Sequence, residues 1–460
     1  MKKQRIVIGL VIFLILSAFM RCDVCAADAD EIDNLIRQYQ KNTKCKNVSV
    51  IVYSQGEVSF YGDSGNLYQI GSMTKAFTGL AVQKLIDEGL ICEDNLVSDY
   101  IPGFEAYYDL EKVDISIRNL LEQKSGYTNN EKEYPAASEL MSLSDWAESI
   151  SGLTLSSRPG TEYAYSNVNY NLLGLIIEKV SGKTYKSYME DEILIPLGLR
   201  NTYVGMPEDG RTVEGTRLGY RYVYDFPITV KEASIPAGYF YSNAEDMSHW
   251  IAMWTGNSDI PENFKNSISR VKEKLQKEED YYSGWERFSG GVIGHSGGTP
   301  NYSSRVVFDE QKRIGVCVLS NLNVAASTDS LCNSIYDIQS GSSPRGLVAD
   351  IWTIFDKVFT GVSLLGIIIL IGIHFIKRNA VLITSDIVLI LLLAMMLILF
   401  PNIFGAGIHE IMFKWAPWSL AGGFLIIVVD AVYVTVKLLM GRRYADYKET
   451  SEEQTADGDN

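Results

Sequence analysis

Apolar positions along the chain fall into three regimes. Residues 7–20, VIGLVIFLILSAFM, form a nearly unbroken apolar run behind Lys2, Lys3 and Arg5. Residues from about 30 to 340 mix helical and alternating periods. From about 350 the chain turns apolar again, in blocks over Val358–Ile376, Ala380–Phe400 and Trp418–Met440. The first run has the make-up of a secretory signal. The three late blocks have the length of membrane spans.

Within the middle regime, Ile32, Leu35, Ile36 and Tyr39 stand at helical spacing and predict a helix. VSVIVYSQGEVSFYG (48–62) predicts strand, turn, strand. SMTKAFTGLAVQKLIDEGL (72–90) predicts a helix stopped at Gly89, and YNLLGLIIEKVSG (170–182) one stopped at Gly182. Strand character returns in GVIGHSG (291–297) and in SSRVVFDEQKRIGVCVLSN (303–321), with a hairpin turn over Asp309–Lys312. VAASTDSLCNSIYDIQ (324–339) predicts a closing helix, and NFKNSISRVKEKLQKEED (263–280) a solvated surface helix. Strands at both ends around a helical middle predict an α/β (α+β) domain. Its antiparallel sheet is built from both chain ends and flanked by helices, with an inserted helical lobe.

The expected layout is a signal peptide over 1–27, or an uncleaved anchor, then an exported domain over 28–340. A linker over 341–357 containing Pro344 comes next, then three membrane helices over 358–440 and an acidic cytoplasmic tail over 441–460. CAADA (25–29) offers a cleavage point after Ala27, and Arg21 argues against a lipidated Cys22. Lys377, Arg378, Arg442 and Arg443 put the first connection and the tail in the cytoplasm, and so the domain outside. Asp386 and Asp430 fall inside the spans, where they mark either a path or a contact between helices.

A net charge of −15 without a basic stripe excludes nucleic acid as a partner. Much of the acid sits in the tail DYKETSEEQTADGDN, read as unstructured. Cys22 and Cys25 leave with the signal. Cys45, Cys92, Cys317 and Cys332 remain, as free thiols or in one of three pairings. With four histidines and no C-x-x-C after residue 27, neither a metal site nor a cofactor is expected.

Two strings compete for a nucleophile. GHSGG (294–298) has the G-x-S-x-G pattern, which needs a helix directly after it and a downstream histidine. The next residues are TPNYSSRVVF, with Pro300 and a strand, and the downstream histidines His374 and His409 lie in or beside membrane blocks. Ser296 therefore fails as an elbow. Ser72 and Lys75 stand one helical turn apart, so hydroxyl and amine share a face. A lysine becomes a base when burial or nearby positive charge disfavours its charged form.

These residues do not stand alone. IRNLLEQKSGY (117–127), RPGTEYAYSN (158–167), IPLGL (195–199) and PAGYFYSNAEDMSHW (236–250) occur in that order behind them. Over residues 30–340 the chain resembles the serine β-lactamase and penicillin-binding protein superfamily, in its class C-like branch. The resemblance implies Ser72 as acylated nucleophile, Lys75 as base and Tyr165 as proton shuttle, with nearby cations such as Lys75 either favouring its phenolate or making it an efficient relay. Asn167 would bind the substrate amide or orient Lys75. The backbone N–H groups of Ser72 and Gly298 would form the oxyanion hole. His295-Ser296-Gly297 stands where relatives carry Lys-Thr/Ser-Gly, so these three would bind substrate. A histidine there is only partly charged near neutrality, which weakens the pull on a carboxylate. Asn301 replaces a glycine of relatives, and asparagine tolerates left-handed backbone.

The implied function is a membrane-anchored extracytoplasmic serine hydrolase that cleaves an amide or ester, in a D-amino-acid peptide or a small ester, through an acyl-enzyme. Three alternatives stand beside it: a β-lactamase or D,D-carboxypeptidase, a sensor that is acylated without turnover, and a maturation peptidase for nonribosomal peptide prodrugs, which the domain-plus-three-helices layout resembles. The expected partners are a small-molecule or peptide substrate and the membrane.

Overall fold

The computed structural model describes residues 30–456 apart from 130–133, 135–136, 257–259, 278 and 377. The expected signal with Cys22 and Cys25, and Lys377, lie outside the described residues. The chain divides into two units. One takes in the described residues up to Thr216 and Asp225–Asp350, and the other takes in Arg217–Tyr224 and Ile351 onward.

In the first unit the N-terminal helix α1 covers residues 30–43. Strands β1 (Val48–Ser54) and β2 (Glu57–Tyr61) come after it. The remaining strands of the main sheet come from the other end of the domain: β3 (Tyr281–Tyr282), β4 (Trp285–Arg287), β5 (Ile293–Gly298), β6 (Ser303–Asp309) and β7 (Ile314–Ser320). The sheet order is β3-β4-β5-β6-β7-β1-β2, antiparallel throughout. The β1–β7 ladder, with Val50 opposite Val318, closes the domain by joining the two chain ends. β6 and β7 are buried along their whole length because helices cover both faces. On one face, Tyr39 of α1 bonds Ser320 of β7 and Thr328 of α6 (Ala325–Gln339), both at 2.9 Å. On the other, Ile251 of α4 (Ala244–Trp254) sits so close to Gly315 that a Cβ there would meet it at 2.1 Å.

Helix α2 (Thr74–Asp87) is buried over Thr74–Leu85, as expected of a helix with apolar residues on every face. It ends at left-handed Gly89 (φ 70°). Helix α3 (Asn167–Ser181) starts on a Ser166 cap and ends at left-handed Gly182. An aromatic column ties α2 to the sheet. Phe77 stacks on Trp250 at 4.0 Å, Trp250 and Trp254 pack on Trp285, and Trp285 meets Phe308.

Two expectations need correction. The charged helix α5 (Glu262–Lys277) is amphipathic, with Phe264, Ile268, Val271 and Leu275 buried. The segment read as a linker is pinned along α6: Arg345 pairs with Asp337, Ser327 donates to the Val348 carbonyl, and Asp350 accepts from Ala326 N. Of the readings left open for the cysteines, the structure has the free thiols: Cys45, Cys317 and Cys332 are buried and Cys92 is exposed.

The second unit holds α7 (Ile351–Phe375), α8 (Asn379–Phe404) and α9 (Trp418–Ala456). Ile351–Phe375, Asn379–Phe404 and Trp418–Gly441 are long and apolar enough to cross a membrane. The first starts at Ile351 rather than near Val358. The backbone of the tail read as unstructured continues α9 to Ala456. Asp386 on α8 accepts from Thr435 on α9 at 3.0 Å, a contact between helices. A hairpin of strands Thr216–Gly219 and Tyr222–Asp225 was not foreseen; its residues 217–224 group with these helices.

Trp250→Ala should remove the centre of the aromatic column, at a cost of about 3–5 kcal/mol in stability, as for other buried Trp truncations. Denaturant unfolding of the purified protein checks this.

Candidate active site

Ser72 lies in a 3-10 turn, Gly71–Met73, directly before α2. Lys75 stands on the first turn of α2 and is fully buried. Its Nζ is 3.1 Å from Ser72 Oγ, 2.7 Å from Asn167 Oδ1 and 2.6 Å from the Ala237 carbonyl oxygen. It also stands 4.9 Å above the Tyr165 ring. The Tyr165 hydroxyl is near enough to Ser72 for that side chain to favour its ionised form, against burial. Hydroxyl, amine and phenol thus converge, as the spacing and the resemblance implied. Asn167 Oδ1 accepts from Lys75 Nζ, the contact that the orienting reading of Asn167 calls for.

A second network holds Tyr165 and Asn167 from behind. Gln123 Oε1 accepts from Ser166 N at 2.9 Å and from the Asn169 side chain, and Ser125 donates to Asn169 at 2.5 Å. This explains why LLEQKSGY stood out: Gln123 and Ser125 are the clamp on the Tyr165 loop. Tyr281 and Tyr170 were missed. Tyr281 packs edge-on against Tyr165 and Tyr170, and its ring centroid is 5.9 Å from that of His295. Neither tyrosine belongs to a motif in a chain with 27 of them, so only the tertiary structure singles them out.

The opposite wall is β5. Its pairing with β4 ends at Gly294, so among the described residues the stretch from His295 to Gly298 is paired on one side only, by β6. Its backbone runs close under the nucleophile turn. A Cβ on Gly71 (φ 53°) would lie 2.6 Å from Gly298 N, and one on Gly297 would lie 2.1 Å from the Ile70 carbonyl oxygen. Only glycines allow this approach, and it brings Gly298 N up to Ser72.

Side chains on β5 alternate between faces. His295 faces the tyrosines. Ser296 faces α6, where its hydroxyl donates to Asp329 at 2.9 Å and accepts from Arg305 Nη1 at 2.6 Å. The Ser296 hydroxyl, expected to meet substrate, thus has its single donor and one of its two lone pairs engaged on the face toward α6. Asp329 and Arg305 carry no sequence signal. Asn301 also differs from expectation. Its backbone is outside the left-handed region, and its side chain instead donates to the Phe226 carbonyl at 2.8 Å.

Burial sets the charge state of the site. It pushes the Lys75 amine well below its ordinary value. A neutral amine has two N–H donors and one lone pair. Asn167 Oδ1 and the Ala237 carbonyl take the donors, which leaves the lone pair for the Ser72 proton. Burial raises the Tyr165 phenol, with Ser72 acting the other way, which favours the relay reading of this residue over the phenolate. His295 is pushed down to about 3 by burial and then by Lys75, so it is neutral rather than partly charged near pH 7. Its Nδ1 is 2.6 Å from the Ser296 carbonyl oxygen and must carry the proton. Its Nε2 is a buried acceptor without a partner among the described residues.

Comparison with known proteins gives one answer. The sequence profile of the family described as Beta-lactamase matches residues 32–335. Protein flp of Staphylococcus aureus (strain MW2) is 30% identical over 319 residues, 64% of this chain and 63% of its own length. The chain thus spans less than two thirds of the length of these staphylococcal relatives. A putative D-alanyl-D-alanine carboxypeptidase of Escherichia coli K12 is 36% identical over 148 residues, 30% of this chain and 34% of that one. Two solved structures share the fold at a TM-score of 0.59. The octameric penicillin-binding protein homologue from Pyrococcus abyssi is 22% identical, covering 72% of this chain and 81% of that one. The beta-lactamase/D-alanine carboxypeptidase from Pseudomonas syringae is 16% identical, covering 68% and 99%.

Lys75→Met should abolish acylation yet leave the melting temperature equal or higher. The folded-state pKa of Lys75 lies below its unfolded value, so between the two folding must strip a proton. That cost is present at neutral pH and vanishes as pH rises past the unfolded value. A thermal melt of the variant beside a serine-labelling assay checks both halves.

Proposed function

The chain belongs to the beta-lactamase family, a family of serine hydrolases, and from that premise we propose that it cleaves an amide or ester through an acyl-enzyme on Ser72. The observation that carries this reading is the buried Lys75 amine, held by Asn167 and the Ala237 carbonyl with its third contact on Ser72 Oγ.

Ser72 Oγ attacks the carbonyl carbon while its proton passes to Lys75 Nζ. The carbonyl π-pair moves to oxygen, which the N–H groups of Ser72 and Gly298 receive. Such preorganised donors act most strongly where water is excluded. Tyr165 then gives its proton to the departing nitrogen or oxygen and takes one back from Lys75. The bond to the leaving group breaks and the acyl-enzyme remains. Water repeats the sequence: it loses a proton to the Tyr165–Lys75 pair, attacks the ester, and Ser72 recovers its proton as the acid departs. Lys75 is the first base in this scheme because burial favours its neutral form but disfavours the Tyr165 phenolate.

The substrate class rests on charge. With His295 neutral, no third-motif cation stands ready for a carboxylate, which favours an uncharged amide or ester, such as a D-amino-acid peptide, over a free penicillin. The open edge of His295–Gly298 suits an extended peptide added as a strand. Ser296 would contribute through its backbone. The three apolar helices would anchor the protein in the membrane, with the catalytic unit outside the cell and α9 ending in the cytoplasm.

Intact-mass analysis after a serine-directed probe should show one added group on wild type and on Ser296→Ala, and none on Ser72→Ala. Label retained on Ser72→Ala would overturn the assignment. Steady turnover of a chromogenic ester should continue after the first burst; a burst alone would indicate the sensor. The kcat/KM profile from about pH 4 to about 9 should show an acid limb as Lys75 gains its proton, and no separate step near pH 6.5, where free histidine titrates.

A further inference from the structure

Among the described residues, the unit of apolar helices also takes in a strand hairpin, at 217–224. Its tip is formed by Tyr220 and Arg221, both left-handed (φ 52° and 70°), as in the tight primed turns of two-residue hairpins. Neither residue is a glycine, so the turn depends on what holds it.

It is held at one level of the helices. Arg217 donates from Nε to the Ala416 carbonyl at 2.5 Å, from Nη1 to Phe413 at 2.7 Å and from Nη2 to Met412 at 2.5 Å. These carbonyls belong to the helical turn that precedes α9, and such terminal carbonyls lack intrahelical partners. The same guanidinium lies 4.1 Å from the centre of the Trp418 ring. Arg221 N donates to Asp356 Oδ2 at 2.9 Å, and Ser419 Oγ donates to Asp356 Oδ1 at 2.8 Å. A Cβ on Gly422 would lie 1.6 Å from the Tyr220 hydroxyl, and one on Gly219 would lie 2.8 Å from Trp418 Cβ. Asp356 is near the start of α7, and Trp418, Ser419 and Gly422 are at the start of α9. The hairpin is therefore fixed where two of the candidate spans begin, on one side of the bundle.

The outward face of the hairpin is aromatic. Tyr222 is 69% exposed and Tyr224 46%, and Phe413, close in sequence to Trp415 and Trp418, is exposed as well. Tyrosine and tryptophan concentrate where a bilayer meets water, because an apolar ring and a polar tip suit that boundary. We propose that the 217–224 hairpin is a membrane-interface anchor, seating Tyr222 and Tyr224 among the lipid headgroups at the level of Trp418. This rests on the reading of the helices as spans. The partner is the lipid surface itself, since the face continues the rim from which the spans enter.

The test is depth. Full-length protein with Cys22, Cys25 and Cys92 changed to Ser is placed in phosphatidylcholine nanodiscs. It carries a thiol fluorophore at Tyr222→Cys or, separately, at Tyr224→Cys, with the same fluorophore on free cysteine in the nanodisc suspension as reference. Nitroxide carried on shallow lipid positions should quench labels 222 and 224 several-fold more than the free label, while aqueous iodide should do the reverse. Labels 222 and 224 behaving like the free label would overturn the proposal. Protection from both quenchers would overturn it too, by placing a protein on this face. Recovery of the full chain in aqueous buffer without detergent would remove the span reading itself.

Discussion

A lysine amine without water is the constraint on which the rest of the site depends. Lys75 is wholly enclosed, and a charged ammonium so placed would need a carboxylate partner. The oxygens around it are instead an amide, a backbone carbonyl and a hydroxyl. The surroundings accept an amine more readily than an ammonium, and so the nucleophile sits beside a base. The burial of α2, the clamp of Gln123 and Ser125 on the Tyr165 loop and the aromatic ring wall of Tyr170 and Tyr281 all serve to keep that amine dry.

Neutrality then extends through the cleft. Tyr165 holds its proton, and His295 is uncharged with its tautomer fixed by the Ser296 carbonyl. Two charged residues, Arg305 of β6 and Asp329 of α6, lie on the other face of the sheet, where they share the Ser296 hydroxyl. Reaction therefore begins without separated charge at the reacting carbonyl. The first strong field the substrate meets is that of the backbone donors.

Much of this was legible in the chain because it depends on local spacing. Ser72 and Lys75 are one turn apart, YSN stands at a helix start, and the glycines that stop α2 and α3 are visible as punctuation. Pro300 and the strand after GHSGG disposed of the second serine without coordinates. The features that could not be read depend on contacts far apart in sequence. The Ser296–Asp329–Arg305 cluster joins two strands and a helix. The neutrality of His295 is a property of burial, which residue identity does not reveal. The tail looked unstructured by composition, yet its backbone prolongs α9, where a helix already formed needs only propagation. The 217–224 hairpin has no glycine or asparagine at its turn, so it lacked the usual signal.

The pairing of β1 with β7 has a consequence for how the protein comes to exist. β1 leaves the ribosome early and must wait for nearly the whole domain before its partner strand arrives. Long-range strand pairing of this kind is slow and leaves edges unprotected meanwhile. The Gly71 turn and the Gly297–Gly298 backbone meet only when that last ladder is in place. On the proposed mechanism, the approach of Gly298 N to the Gly71–Met73 turn thus waits on the last strand pairing to form.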